Sequence, residues 1–151
     1  MSLFSSMDIS ASALTAQRLR MDVISSNMAN QDTTRSQLIN GKWQPYQREE
    51  VVLEPKSSSS SFSSFLDSAM NQSDASGGVQ VAKIIKDPTP FKMEYDPTNP
   101  DANKNGYVEL PNVDPTKEMV DLMSTTRSYE ANVTAFNANK DMMMKALDIG
   151  K

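Results

Sequence analysis

Apolar residues recur at helical spacing at the two ends of this chain and at strand spacing only in its middle. From Ser5 to Asn30, Met7, Leu14, Met21 and Met28 fall every seven residues, and Ile24 with the parallel set Ile9, Ala16 and Val23 widens them into a broad face. Ser5 is placed to cap such a helix, with Asp8 three residues on in a capping-box position. At about 1.5 Å per residue it would run roughly 39 Å. The Asn27 to Asn30 stretch ends it, since asparagine tolerates left-handed geometry, and Gln31 to Ser36 reads as a polar turn. At the other end, Asp114 caps and Pro115 opens a second helix that runs to Ile149. Leu122, Tyr129, Phe136 and Met143 form one seven-residue series there. Met119, Thr126, Val133 and Leu147 form another, and the combined seam is interrupted at Lys140.

The middle changes period. Trp43 to Leu53, Val79 to Ile85, Phe91 to Tyr95 and Tyr107 to Leu110 read as short strands, with the alternation clearest in Phe91-Lys92-Met93-Glu94-Tyr95. Pro88, Pro90, Pro97 and Pro100 punctuate them. Ser57 to Gly78 is serine-rich with few apolar anchors and reads as a flexible loop. The expected fold class is α+β. Long N- and C-terminal helices form a coiled-coil-like pair, with a small antiparallel β unit and the serine-rich loop between them. The expected division is 1–36 as helix and turn, 37–113 as a β-rich region containing loop 57–78, and 114–151 as the second helix.

Two uses of the apolar stripes are open: the core of a helical hairpin, or a surface for neighbouring molecules. Length favours the second, because so short a chain has little left to cover every face of two long helices. Methionine suits either use, its flexible thioether adapting to irregular surfaces. Composition agrees with a small central core. Only 38% of the 151 residues are hydrophobic, and much of that apolar content sits in the terminal stripes.

Charge and absent residues then narrow the chemistry. A net charge of -4, with scattered basic residues, argues against nucleic acid as a partner. No run of about 20 apolar residues exists to span a bilayer, and the N-terminus lacks the pattern of a cleaved secretory signal, so any exit from the cytoplasm would use another route. With no cysteine and no histidine, thiolate chemistry, disulfides, the commonest general base and the commonest metal ligands are missing. No cofactor and no small-molecule substrate are expected.

Three constellations nevertheless carry candidate chemistry. Asp101, Asn103, Asn105, Gly106 and Val108 follow the early positions of a calcium-binding loop, but Asn112 stands where the bidentate glutamate belongs, so an Asn-Gly turn is the plainer reading. Paired acids (Glu49 with Glu50, Asp96 with Asp101, Glu94 with Glu109) satisfy the residue types of a glycosidase without fixing any distance. A calcium-binding or glycan-acting cell-wall module is therefore the alternative function. Arg18, Arg20 and Arg127 sit opposite apolar faces and read as solvated, with an ion pair to a neighbour as the lesser option.

The stretch Ser12-Ala13-Leu14-Thr15-Ala16-Gln17-Arg18 through Ser26-Asn27-Met28-Ala29-Asn30, followed by Thr33-Thr34, resembles the N-terminal motif of flagellar rod, hook and hook-associated proteins. Pro111-Asn112-Val113, Glu118-Met119, Arg127 to Asn132, Lys140 and Leu147 are similar to the C-terminal motif of the same families. The resemblance covers roughly 70 residues, all terminal; Ala13 stands where glycine is frequent and Met28 where isoleucine or leucine is. It implies a structural subunit of the bacterial flagellar basal body, exported unfolded by the flagellar export apparatus and built into the rod with copies of itself and other rod proteins. By the same resemblance the subunit interface would comprise Leu14, Ala16, Met21, Ile24, Met119, Leu122, Tyr129, Val133 and Phe136, with Asn27, Asn30 and Thr33 fixing the turn that leaves the first helix. The role is transmission of torque, without catalysis.

Overall fold

A computed structural model of the chain describes residues 3–39, 41–56 and 77–149. The element order is α1 (Leu3–Ala29), β1 (Gln37–Ile39), β2 (Lys42–Gln44), β3 (Glu49–Pro55), β4 (Val79–Lys86), β5 (Lys92–Tyr95), β6 (Tyr107–Leu110) and α2 (Pro115–Ile149). Among the described residues this is an α+β chain, two helices enclosing paired strands in sequence. The serine-rich loop expected at 57–78 lies outside the described residues except for Gly77 and Gly78.

Helix α2 starts as its sequence dictates. The Asp114 side chain accepts from the Thr116 N–H at 3.0 Å, and its carbonyl accepts from the Glu118 N–H at 3.0 Å. Helix α1 is already formed at Leu3, so Ser5 lies inside its first turn instead of capping it. Part of the broad apolar face expected on α1 is the part that is buried. Ala16, Val23 and Ile24 are buried together with Ser10 and Asn27, whereas the Met7, Leu14, Met21 and Met28 series is only half-buried.

Among the described residues the strands of the small central β region pair as β1 with β2, β3 with β4 and β5 with β6, in three two-stranded ladders. The strand expected over 43–53 is broken, because Pro45 brings no N–H to a ladder and Arg48 turns its own N–H to the Asn112 side chain at 2.8 Å. Its first part instead closes a hairpin absent from the expected set: Leu38 pairs with Trp43 and Ile39 with Lys42, and Gly41 adopts φ 78°. In β5 and β6, Met93 faces Glu109 and Tyr95 faces Tyr107, the two tyrosine rings meeting edge to face at 5.3 Å. The alternation in β5 does not give a buried face; all four of its residues are exposed.

The chain forms two compact units, each drawing on both helices. One comprises Met1–Leu19, Val52–Lys83 and Thr125–Lys151, and the other Arg20–Val51 and Ile84–Ser124. In the first, Ser12 fastens α1 to the β3–β4 end: its hydroxyl donates to the Ile9 carbonyl at 2.7 Å and accepts from the Val79 N–H at 3.1 Å, next to Gly78 at φ 78°. In the second, Val51, Val108 and Val113 join Val23 and Ile24 as buried apolar residues.

Candidate functional site

The second unit is held together by a polar network. Asn27, near the C-terminal end of α1, is 1% exposed, and Glu118, in the first turn of α2, is not exposed at all. The Asn27 amide uses every bonding position it has. Its Oδ1 accepts from the Tyr46 hydroxyl and the Glu49 N–H, both at 3.0 Å; its Nδ2 donates to the Glu49 carbonyl at 2.9 Å and to Glu118 Oε2 at 3.2 Å. One side chain thereby ties α1 to β3 and to α2.

Glu118 Oε1 accepts from Arg48 Nε at 2.6 Å. The Arg48 guanidinium, itself almost fully buried, also lies 3.4 Å from Glu50, 3.5 Å from Asp87 and 3.7 Å from Asp121. Burial alone would push its pKa down, but the hydrogen bond and charge of Glu118, with Glu50 behind them, carry it above the ordinary value. The Thr89 N–H, then its hydroxyl and the Arg48 charge, hold the Asp87 carboxyl below its ordinary value. Burial raises the Tyr46 phenol. Asn112 completes the network, accepting from the Arg48 N–H and donating to Asp87 and Thr89 carbonyls at 3.2 and 3.1 Å.

A second tie closes the turn after α1. Asn30 Nδ2 donates to the Ser26 carbonyl at 2.9 Å, the Thr33 hydroxyl bonds Asn30 Oδ1 at 3.2 Å, and the Thr33 carbonyl accepts from the Tyr46 N–H at 3.0 Å. Beyond it, Arg35 forks onto Asp101, whose carboxylate also accepts from Thr34 at 2.8 Å. The Arg35 hydrogen bond, then that of Thr34, lowers the Asp101 pKa.

These contacts leave the calcium and glycan readings without support. Asp101 is committed to Arg35 and Thr34, Asn103 Oδ1 accepts the Asn105 and Tyr107 N–H groups, and Asn112 serves Arg48; the stretch is the connection between two strands, with Gly106 at φ 80° supplying its turn. Among the described residues no group of three or more acidic side chains is placed to hold a metal ion. Glu94 faces Val108 and Met93 faces Glu109, so Glu94 and Glu109 project to opposite sides of their ladder and cannot flank one bond. Glu50 belongs to Arg48, and Glu49 binds Asn27 through its backbone.

The interface residues anticipated from the sequence divide into three groups by burial. Ala16, Ile24 and Asn27 are buried within their own chain, Asn30 and Thr33 are half-buried in the turn, and Leu14, Met21, Leu122, Tyr129, Val133 and Phe136 are half-buried. Met119 is more than half exposed. Along α2 only Glu118 and Thr125 are buried, and no residue from 126 to 149 is. Leu147 is 73% and Ile149 86% exposed. Arg18, Arg20 and Arg127 are exposed. Sequence reasoning missed Arg48, Tyr46 and Asp87 altogether, and took Glu118 and Asn112 only as parts of a motif.

Asn27 and Glu118 of this polar tie, and the exposed second half of α2, lie within segments shared with known proteins. The family of flagella basal body rod proteins matches residues 7–36, and the C-terminal family of flagellar basal body rod FlgEFG proteins matches 104–149. Over its full length the chain is 62% identical to the flagellar basal-body rod protein FlgC of Bacillus subtilis, covering all of both chains. It is 43% identical to FlgC of Borreliella burgdorferi, over 99% of this chain and 98% of that one, and 42% identical to FlgC of Salmonella typhimurium, over all of both. The chain belongs to the FlgC family of flagellar basal-body rod proteins. It is accordingly a structural subunit of the bacterial flagellar rod, located in the basal body and assembled with other rod components. No helix among the described residues is long and apolar enough to cross a membrane.

Proposed function

We propose that neighbouring subunits, copies of this chain and other rod proteins, cover the faces of α1 and α2 that the chain leaves open, in a coiled-coil-like layer of the proximal rod. The observation that carries this reading is the uncovered second half of α2, where apolar residues such as Leu147 and Ile149 stand in solvent. Leu14, Met21, Met119, Leu122, Tyr129, Val133 and Phe136 supply the contacts. Ala16, Ile24 and Asn27 hold the helices from within, and Asn30 and Thr33 fix the turn. Heterologous contacts of this kind do not close on themselves and so build a tube. The role is mechanical, torque passing through many interlocked contacts with no reaction catalysed. Delivery of the unfolded chain by the flagellar export apparatus belongs to the same reading.

The chain has no cysteine, so introduced ones react cleanly. Met21→Cys and Phe136→Cys, crosslinked in purified basal bodies, are expected to give adducts with adjacent rod subunits. Exclusively intrachain products would refute the reading. Circular dichroism of the isolated protein should also show helix rising with concentration or with added rod proteins.

A further inference from the structure

We infer that the exposed methionines of α2 are an oxidation site of the free subunit, at which a peroxide switches off assembly. The inference rests on the reading of α2 as an assembly surface. Met119, Met123, Met142 and Met144 are 55 to 61% exposed, whereas Met7, Met21, Met28 and Met143 are half-buried. With no cysteine present, the thioethers are the only sulfur in the chain. Met93, on β5, is 67% exposed and lies on neither helix. It is therefore an internal control: equally open to oxidant, but outside the surface at issue.

The chemistry is a two-electron oxygen transfer. The thioether sulfur attacks one oxygen of hydrogen peroxide, the O–O bond breaks, sulfur is oxidised to the sulfoxide, and the other oxygen leaves as water after proton transfer. Each event turns a flexible apolar side chain into a polar, chiral one. On an exposed helix this changes little. In a contact from which water is excluded, the S=O group must find a donor or remain unsatisfied, so the cost falls on association and not on the fold. Methionine sulfoxide reductases reverse the change.

The test uses the purified full-length chain and hydrogen peroxide. Peptide mass spectrometry should find Met93, Met119, Met123, Met142 and Met144 oxidised before the half-buried four. Sedimentation of the treated chain, alone and with other rod proteins, should show association weakened at least tenfold and restored by the reductases. The quadruple variant Met119→Leu, Met123→Leu, Met142→Leu, Met144→Leu should resist, since leucine keeps the volume and cannot be oxidised, while Met93→Leu should behave as the parent. Peroxide treatment of isolated basal bodies supplies a measurement that needs no variant: Met93 should oxidise and the four α2 methionines should be protected. Unimpaired association of the oxidised chain overturns the inference, as does equal sensitivity of the quadruple variant or equal oxidation of the α2 methionines in basal bodies. Any of these alongside successful crosslinking through residues 21 and 136 sinks the oxidation site alone; failed crosslinking sinks the assembly reading beneath it.

Discussion

The Arg48–Glu118 pair is asymmetric, and the asymmetry can be measured. Arg48 has four carboxylates within 3.7 Å, whereas the only cation paired with Glu118 among the described residues is Arg48. Removing the guanidinium with Arg48→Met leaves a carboxylate with no exposed surface and, among the described residues, only the Asn27 amide as side-chain donor. Breaking a buried pair this way costs about 3–5 kcal/mol. Glu118→Gln keeps an acceptor for Arg48 Nε and leaves the arginine Glu50, Asp87 and Asp121, so the loss should be that of a weakened charge-assisted bond, about 1–3 kcal/mol. In a chain of this size about 1 kcal/mol moves Tm by roughly 2–4 °C, which separates the two variants by several degrees. Urea unfolding followed by circular dichroism at 222 nm gives the same ordering in free energy. The double variant should recover part of the Arg48→Met loss, because both charges are then gone. If Arg48→Met proves no more harmful than Glu118→Gln, the network is not organised around the glutamate and the argument fails.

Other consequences follow from the same contacts. Asn27→Asp puts an oxygen where Nδ2 now meets the Glu49 carbonyl and Glu118 Oε2, and should cost about 3–5 kcal/mol by denaturant titration, as unpaired buried charge does; Tyr46→Phe leaves Asn27 Oδ1 its Glu49 N–H and should cost only about 1 kcal/mol. Stability should hold a plateau across neutral pH: Asp87, Asp96 and Asp101 have depressed folded pKa values, so the stability they contribute is present above their ordinary value of 3.8 and is lost as pH falls through the lower folded values. The raised Tyr46 contributes stability fully present below 10.0 and lost as pH climbs through its folded value, a decline that Tyr46→Phe should flatten in alkaline Tm measurements. Gly78→Ala forces a Cβ onto the Ser12 hydroxyl at φ 78° and should cost more than about 1 kcal/mol, read as faster hydrogen exchange at Val79.

The helices and three of the strands were legible because their signals are local. Pro115 and Asp114 punctuate α2, heptads run along both helices, and β4 to β6 lie between prolines, glycines and asparagines. The β1–β2 hairpin was equally local, since Asn40-Gly41 between Leu38-Ile39 and Trp43 is a strong two-residue turn signal; it was obscured by reading 31–36 as turn and 43–53 as one strand. The network was illegible for a different reason. Arg48 meets partners 39 and 70 positions away, and a charged residue between strand-like segments reads as solvated until the fold encloses it. Glu118 did carry a hint. An acid in the first turn of a helix opened by Asp-Pro suits the dipole, but that explanation needs no partner and so pointed to none.

Buried charge is a poor source of net stability, because desolvation offsets most of the attraction. What Asn27 and Glu118 supply is register. All four bonds of the Asn27 amide reach atoms fixed on other segments, and sliding α1 by one turn, about 5.4 Å, would break every one of them. An apolar seam of methionine and alanine would tolerate such a slip, since one flexible or small side chain replaces another at little cost. In the second unit the polar tie therefore selects a single axial setting of α1 against the start of α2, which packing alone leaves degenerate. For a subunit repeated along a rod, a one-turn error in that setting would recur in every copy, whereas an error of side-chain packing would be absorbed locally. The fully satisfied amide is thus placed where precision along the helix axis matters most, and the adaptable methionines where contacts have only to be filled.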